Sequence, residues 1–277
     1  MKKDNGILYV VATPIGNLDD ITLRAIKILK EVDLIAAEDT RHTLKLLNHL
    51  DISKPLISYH RHNEEQRKEM IINRLKNGEN IAIVSDAGTP GICDPGEVMI
   101  YECIKENMKV VPIPGACAMI NALIASGIST KEFTFLGFLP LNKKLRKEKI
   151  EEIKNETRTI IIYEAPHKLK NTLEDLEKVL DKDRKIVLAR ELTKIHEEFI
   201  RGNIDEILTK VDNLKGEMVI IIEGNKNSEE DNKFLDMSLE DHYKYYEEQG
   251  MDKKEIIKKI AKDRNLPKNE IYQYFIK

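Results

Sequence analysis

The stretch Ser85-Asp86-Ala87-Gly88-Thr89-Pro90-Gly91-Ile92-Cys93-Asp94-Pro95-Gly96 packs three glycines, two prolines and two carboxylates into a short span. Glycines let a backbone approach a ligand closely and take positive φ angles, and prolines stiffen a loop so that less order is lost on binding. The spacing matches neither the GxxxxGK(S/T) phosphate loop nor the GxGxxG dinucleotide turn, and the stretch holds no lysine for a phosphate. Its two carboxylates would repel a pyrophosphate. They suit hydroxyls or a positive charge, such as a ribose or a sulfonium. A tight structural turn is the plain alternative.

Further polar clusters follow other apolar runs. Thr13-Pro14-Ile15-Gly16-Asn17 is a stiff turn with a glycine. Glu38-Asp39-Thr40-Arg41-His42 is densely ionisable. Pro114-Gly115-Ala116-Cys117-Ala118 has small residues that would let a flat ring lie against the backbone. Tyr163-Glu164-Ala165-Pro166-His167-Lys168 and Arg190-Glu191-Leu192-Thr193-Lys194 complete the set. A single one of these would read as a surface salt bridge. Several on one edge point to a cleft, the usual ligand site of an α/β protein.

The positioning elements are legible as strand and helix patterns. Ile7–Ala12, Leu34–Ala37, Leu56–Ser58, Ile81–Val84 and Val110–Ile113 are short apolar runs. Helical patterns separate them at Thr40–His49, Glu64–Asn77 and Pro95–Glu106, and one capped by Asp19 or Asp20 places Ile21, Ala25, Ile28, Leu29 and Val32 on one face. Continuous apolar strands with helices between them imply a mainly parallel sheet covered on both faces. After a helix at Gly115–Ser126, a second series holds strands at Phe133–Phe138, Thr159–Tyr163, Ile186–Ala189, Glu197–Arg201 and Met218–Ile222, with helices at Lys144–Asn155 and His167–Leu180. The alternation in Glu198–Arg201 implies antiparallel pairing in a mixed sheet. The expected organisation is an α/β domain at 1–118, a second at 119–225, and a linker with a helical tail at 226–277. The polar run Asn225–Asn232 reads as the linker. In the tail, helices from Asp252 (Ile256, Ile257, Ile260 and Ala261 inward) and over Asn269–Ile276 flank the turn Leu266-Pro267-Lys268, in the manner of a helix-turn-helix.

The chain has 277 residues, enough for two domains. With 34% charged and 41% hydrophobic residues it reads as an ordinary globular protein. No apolar run approaches the ~20 residues of a membrane span, and Met1–Asn5 leaves no room for a signal peptide. Cys93, Cys103 and Cys117 lack metal-site spacing, so no metal is expected and reduced cytoplasmic thiols are. The net charge of −3 does not advertise nucleic-acid binding, yet Lys143, Lys144, Arg146, Lys147 and Lys149 form a local basic run. A solvated helix face would explain that run equally well.

Taken in order, VATPIGNLDDIT, AEDTRHT, SDAGTPGICDPG, PIPGACAMINAL, GFLP, YEAPHKL, ARELTKIHEEFIRG and GEMVIIIEG resemble the tetrapyrrole (corrin/porphyrin) methylase superfamily, and within it the ribosomal RNA small subunit methyltransferase I group. The resemblance covers about Gly6 to Gly224. It implies an α/β protein of two α/β domains, the class III S-adenosylmethionine-dependent fold, with the cofactor folded in the cleft between them. Many relatives carry Gly-Asp-Pro where this chain has Ser85-Asp86-Ala87-Gly88, a departure that marks the RNA-directed branch. By resemblance, Pro14, Gly16, Asp86, Gly88, Thr89, Pro90, Ile92, Cys117, Ala118 and Tyr163 line the cofactor. The implied reaction is methyl transfer from S-adenosylmethionine to the ribose 2′-hydroxyl of a cytidine in the decoding region of 16S rRNA. The implied partners are the small ribosomal subunit and a second copy of the chain.

In-line transfer from a sulfonium needs orientation and no metal, whereas a ribose hydroxyl needs a base. Candidates are Glu38, Asp39, Glu164, His167 and Glu191, with Glu38 and Glu164 preferred. Arg41 or Arg190 would steady the developing anion or a phosphate. Lys143, Lys144, Arg146, Lys147, His167, Lys168 and Arg190 are the expected RNA contacts. Stacking on aromatics normally holds single-stranded RNA, and the chain has 5% aromatics and no Trp, which favours recognition of an assembled particle. Two rivals remain open. A methylase of a small corrin ring would need a wide pocket and no basic helix, and a non-catalytic ribosome-binding factor would have lost the glycines that this chain keeps.

Overall fold

The computed structural model describes residues 4–212, 214–226, 234, 237–264 and 266–275. The chain divides into two compact units, one running to Ile153 and resuming over Arg158–Glu223, the other comprising Lys154–Thr157 and Gly224–Lys277. Residues 227–232 of the expected linker, and Ile276 of the expected last helix, lie outside the described residues.

The first unit opens with a parallel five-stranded sheet. Strands β1 (Ile7–Val11), β2 (Leu34–Ala37), β3 (Leu56–Ser58), β4 (Ile81–Val84) and β5 (Lys109–Ile113) lie in the order β3-β2-β4-β1-β5. The apolar runs of the central β2 and β4 are buried throughout because both faces are covered. Leu34, Ala36, Ile81 and Ile83 pack on helices α3 (Glu64–Lys76) and α4 (Glu97–Lys105), while the alternate Ile35, Ala37, Ala82 and Val84 pack on α1 (Leu23–Glu31) and α2 (Thr40–His49). Pro112 has no N–H to give a sheet and sits on an edge strand, where none is demanded. The helix expected to start at Asp19 or Asp20 starts instead at Leu23: those aspartates belong to a 3-10 turn, and Thr22 Oγ1 accepts from Ala25 N at 3.1 Å to cap α1.

The second sheet is mixed, in the order β6-β7-β10-β8-β9, from β6 (Phe133–Phe138), β7 (Thr159–Glu164), β8 (Ile186–Arg190), β9 (Glu198–Gly202) and β10 (Met218–Ile222). β6 and β7 run parallel; β10 is antiparallel to β7 and β8, and β9 to β8. One face packs on α6 (Lys143–Asn155), α7 (Pro166–Glu177) and the short α8 (Ile204–Leu208). The other, with Ile161, Val187, Ala189, Val219 and Ile221, packs on α5 (Ala118–Ser126).

The second unit holds α9 (Leu239–Glu247), α10 (Lys253–Asp263) and α11 (Lys268–Tyr274) around Phe234, Tyr246, Ile256, Ile257, Ile260 and Ile271. Asp252 caps α10 by accepting from Lys254 N and Glu255 N, both at 2.8 Å. His242 is fully buried and stacks on Phe234 with ring centroids 4.1 Å apart. No described helix is long and apolar enough to cross a membrane.

Candidate active site

The connections leaving β1 and β4 run in opposite directions across the parallel sheet, through helices on opposite faces, which makes their shared edge a switch point where ligands bind. The two loops there are stitched together. Thr13 N donates to Gly88 O at 2.9 Å and Gly88 N returns to Thr13 O at 3.1 Å. Gly88 has φ +79°, and a Cβ on it would come 3.2 Å from Ile15 Cγ2. Ser85 Oγ donates to Ala87 O and Gly88 O, Thr89 Oγ1 to Ala116 O, and Gly96 N to Glu64 Oε1. Arg61 Nη2 donates to Cys93 O. The glycine-rich loop is therefore tied to β1, β3, α3 and α5 before any ligand arrives.

A cavity of about 450 Å³ lies over this loop. Its walls are Ile15 after β1, Glu38 after β2, residues 86–89 and 92–94 after β4, and Cys117 and Ala118 where α5 begins. The mixed sheet supplies Phe138, Tyr163, Glu164, Ala165, Pro166, Ala189 and Leu192 from strand ends, and Glu217, Met218 and Val219 from the start of β10. Tyr163 packs edge-on against Phe135 and Phe138, and its Oη accepts from Met119 N at 3.1 Å, satisfying one of the N–H groups left over at the start of α5. The β6 bulge at Gly137 (φ +62°) brings that strand against the loop: a Cβ there would lie 2.9 Å from Cys93 Sγ.

Carboxylates crowd one side of the cavity. Asp86 Oδ1 accepts from Asp39 N at 3.0 Å, and Asp86 N lies 3.4 Å from Glu38 Oε2. Burial raises the Glu38 carboxyl above its usual value; the Asp86 N–H opposes this and the Asp86 carboxylate adds to it. Asp94 is pushed up to about 6, first by burial and then by the charge of Glu38, against the pull of Arg61. An acidic cavity with an apolar opposite wall accepts a cationic ligand that carries an aromatic group.

The sequence-predicted residues fall into three places. Glu38, Asp86, Gly88, Thr89, Ile92, Cys117, Ala118, Tyr163 and Glu164 line the cavity. Pro14, Gly16 and Pro90 belong to the bordering loops without lining it; a Cβ on Gly16 would meet Lys194 Cγ at 2.4 Å. Arg41 is exposed and holds Asp39 through two side-chain bonds, of 3.1 and 2.7 Å, which keep the Asp39 carboxyl well below its usual range. Arg190 bonds to Glu198 and to Lys215 O. Burial acts to raise Glu191, but Lys194 and the Glu217 N–H outweigh it and hold its carboxyl low. His167 is exposed at the start of α7, and Lys144 is exposed on α6. Lys143, Arg146, Lys147 and Lys168 line a separate groove between α6 and α7.

Arg61 and Glu217 were not anticipated. The His60-Arg61-His62 triplet after β3 was a readable signal, since it ends a strand on the same edge. Glu217 gave none: it precedes a strand, and reaches the cavity because β10 runs antiparallel to its neighbours. The three cysteines are free thiols, and no group of residues with metal-ligand character occurs among the described residues.

The chain belongs to the tetrapyrrole (corrin/porphyrin) methylases: the family model of that description matches residues 7–208. It is accordingly an S-adenosylmethionine-dependent methyltransferase. Ribosomal RNA small subunit methyltransferase I of Halalkalibacterium halodurans is 49% identical over 278 residues, covering 99% of this chain and 96% of that protein. The Bacillus subtilis protein of the same name is 49% identical over 282 residues, covering 100% and 96%. Uroporphyrin-III C-methyl transferase from Thermus thermophilus, complexed with S-adenyl homocysteine, shares the fold with a TM-score of 0.58 at 12% identity, covering 79% of this chain and 97% of that one.

Proposed function

We propose that the chain methylates the ribose 2′-hydroxyl of a cytidine in the decoding region of 16S rRNA, within the small ribosomal subunit. The observation that carries the substrate is end-to-end similarity to ribosomal RNA small subunit methyltransferase I, tail included. The cavity fits the cofactor. Ala87, Gly88, Cys117 and Ala118 present only small side chains or none to the cavity, Ile15, Ile92, Leu192 and Val219 offer apolar surface to an adenine, and Asp86, Asp94 and Glu38 suit hydroxyls and positive charge. When bound, S-adenosylmethionine supplies an electrophilic methyl group on a cationic sulfur.

The residues of the chain do the rest. Glu38 and Asp94, both raised by burial, hold a proton more firmly than an ordinary carboxylate, and Asp94, at about 6, is still largely ionised at neutral pH, which fits this pair to take the hydroxyl proton. Glu164 has both oxygens engaged, with Ala165 N at 2.8 Å and Thr172 Oγ1 at 2.5 Å, so its part is to hold the rim. Arg41, at the same strand end as Glu38, meets RNA phosphate, as do His167, Lys168 and Arg190. A homodimer is supported by Ile120 and Ile124, exposed one turn apart on α5, and by Ile195, which is 97% exposed. Action on ribosomal subunits places the protein in the cytoplasm.

Incubation with labelled S-adenosylmethionine and undermethylated small ribosomal subunits, followed by nuclease digestion and mass spectrometry, tests the reading. The expected result is label on one ribose of 16S rRNA, lost in Asp86→Ala while the melting temperature stays within a few degrees. Cofactor binding with unlabelled rRNA would refute the substrate.

A further inference from the structure

Glu164, only 4% exposed, is the inner end of a row of hydrogen bonds that leads away from the cavity. Thr172, fully buried on α7, donates to Glu164 Oε2 at 2.5 Å, and its hydroxyl oxygen accepts from Arg146 Nη2 at 2.9 Å. Arg146, on α6, also donates from Nε to Asp175 Oδ2 at 3.0 Å. Hydrogen bonds in series polarise one another, so a hydroxyl that accepts from a guanidinium is a better donor to a carboxylate. The outer end of the row, Arg146 with Asp175, lines the second cavity, a groove of about 740 Å³ between α6 and α7.

That groove is built for an anion. Lys143 and Lys147 on α6 and Lys168 on α7 line it, and none of the three holds an ion pair among the described residues. Their charge comes from two helices facing one hollow, which a solvated face of a single helix would not produce. The lining also carries three acids, Glu151, Glu174 and Asp175, against the five cations Lys143, Arg146, Lys147, Lys168 and Lys178. Of these acids Asp175 is held by Arg146 and Lys178, so the balance of the groove is positive. Neither the groove nor the row is visible from sequence spacing, because both depend on how α6 lies against α7.

We propose that the α6–α7 groove holds a stretch of RNA phosphodiester backbone, and that the Arg146–Thr172–Glu164 row fixes the distance between that backbone and the methyl-transfer cavity. The proposal rests on the rRNA reading above. Arg146 and Thr172 are positioning residues: they act through Glu164 on the place where the ribose is presented. Misplacement of reacting groups by ~1 Å can cost about a hundredfold in rate, so a rigid tie between the two cavities is worth a buried charged group.

Steady-state methylation of undermethylated small ribosomal subunits separates the two parts. Thr172→Val is expected to lower kcat by about tenfold or more while leaving the KM for subunits and the affinity for S-adenosylhomocysteine near native. Thr172→Ser, which keeps the hydroxyl, is expected to restore kcat. Arg146→Lys keeps the charge in the groove and loses the fork; it is expected to behave as Thr172→Val and carries the test should the valine variant not fold. Replacing Lys143, Lys147 and Lys168 together with alanine is expected to raise KM and make the slope of log affinity against log salt shallower by about 2. Row variants that raise KM with kcat intact, or a triple variant with the native salt slope, would overturn the proposal. A native enzyme that labels no rRNA overturns the rRNA reading and the groove together; an active enzyme whose variants behave otherwise overturns the groove alone.

Discussion

Asp94→Asn should make the unliganded protein more stable and its cofactor complex weaker. Asp94 is half-buried, its carboxylate accepts no hydrogen bond among the described residues, and Glu38, Asp86 and Glu217 face it with like charge against the one opposing Arg61. A carboxyl raised from 3.8 to about 6 binds its proton more tightly folded than unfolded. The folded state is thus favoured below pH 3.8 and progressively disfavoured as the pH climbs through about 6, where ionisation must be forced on it. At full burial the shift is worth about 3 kcal/mol. Partial exposure lets water and salt screen it, so about 1 to 1.5 kcal/mol is the working figure. Asparagine keeps the shape and drops the charge. In a unit of this size that gain corresponds to roughly 2–6 °C in melting temperature. Calorimetry of native and variant protein from pH 4 to pH 8 is the assay: the curves should coincide near pH 4, diverge as the pH rises to about 6, and keep a constant gap above that, with the variant higher. Titration with S-adenosylhomocysteine at pH 8 should show the reverse order, the variant binding more weakly. A variant that melts below the native protein at pH 8, or a difference independent of pH, would refute the electrostatic account of this cavity.

Two further outcomes can be checked directly. Gly88→Ala forces a side chain into a φ of +79° and within 3.2 Å of Ile15, at a cost of about 1–2 kcal/mol; melting with and without S-adenosylhomocysteine should show both a lower midpoint and a smaller ligand-induced rise. In the helical tail, burial first and then the nearby Arg264 lower the basicity of His242, while Asp263 opposes them. Arg264 Nε donates to its Nδ1 at 3.1 Å, so the neutral ring is the form that packs. A histidine whose folded value is depressed loses stability as the pH falls below 6.5. Hydrogen exchange over 238–275, corrected for intrinsic rates, should therefore quicken between pH 7.5 and 5.5 while β1, β4 and β10 stay protected; unchanged tail protection would contradict this.

How far the sequence could be read depended on whether a feature is local. Strands β2 and β4 declared themselves because every residue in Leu34–Ala37 and Ile81–Val84 is buried, and only a sheet covered on both faces asks for that. The loop after β4 was equally plain, since glycine at 88 and 91 answers to φ angles of +79° and +83°. The start of α1 was misplaced because Asp19 and Asp20 are as good caps as Thr22, and only the 3-10 turn at Leu18–Asp20 decides between them. The short α8 escaped for want of length to show a period, although Asn203 and Glu206 form a capping box. In the candidate site, scanning the residues after strands reached Glu38, Asp86 and Tyr163, which line the cavity. It was blind to Glu217, because an antiparallel strand brings its beginning, not its end, to the same rim. The α6–α7 groove was hidden for a different reason: charge on one helix is readable, but the facing of two helices is tertiary.

The position of β10 bears on how the chain is made. Among the described residues it is the last strand to be synthesised, and it is the middle strand of its sheet, paired on both sides with β7 and β8. A growing chain on the ribosome can complete the parallel sheet once Ile113 has emerged. The second half then waits with β7 and β8 each missing a neighbour until Met218–Ile222 appear, an interval of a few seconds at about 5–20 residues per second. Over that interval two aliphatic edges stand open to other chains, and the Glu217–Val219 wall of the cavity proposed for the cofactor does not yet exist. If the cofactor sits in that cavity as proposed, a nascent chain acquires it only after nearly all of the first unit has been translated, so premature termination shortly before β10 should yield aggregation-prone fragments with no residual cofactor binding.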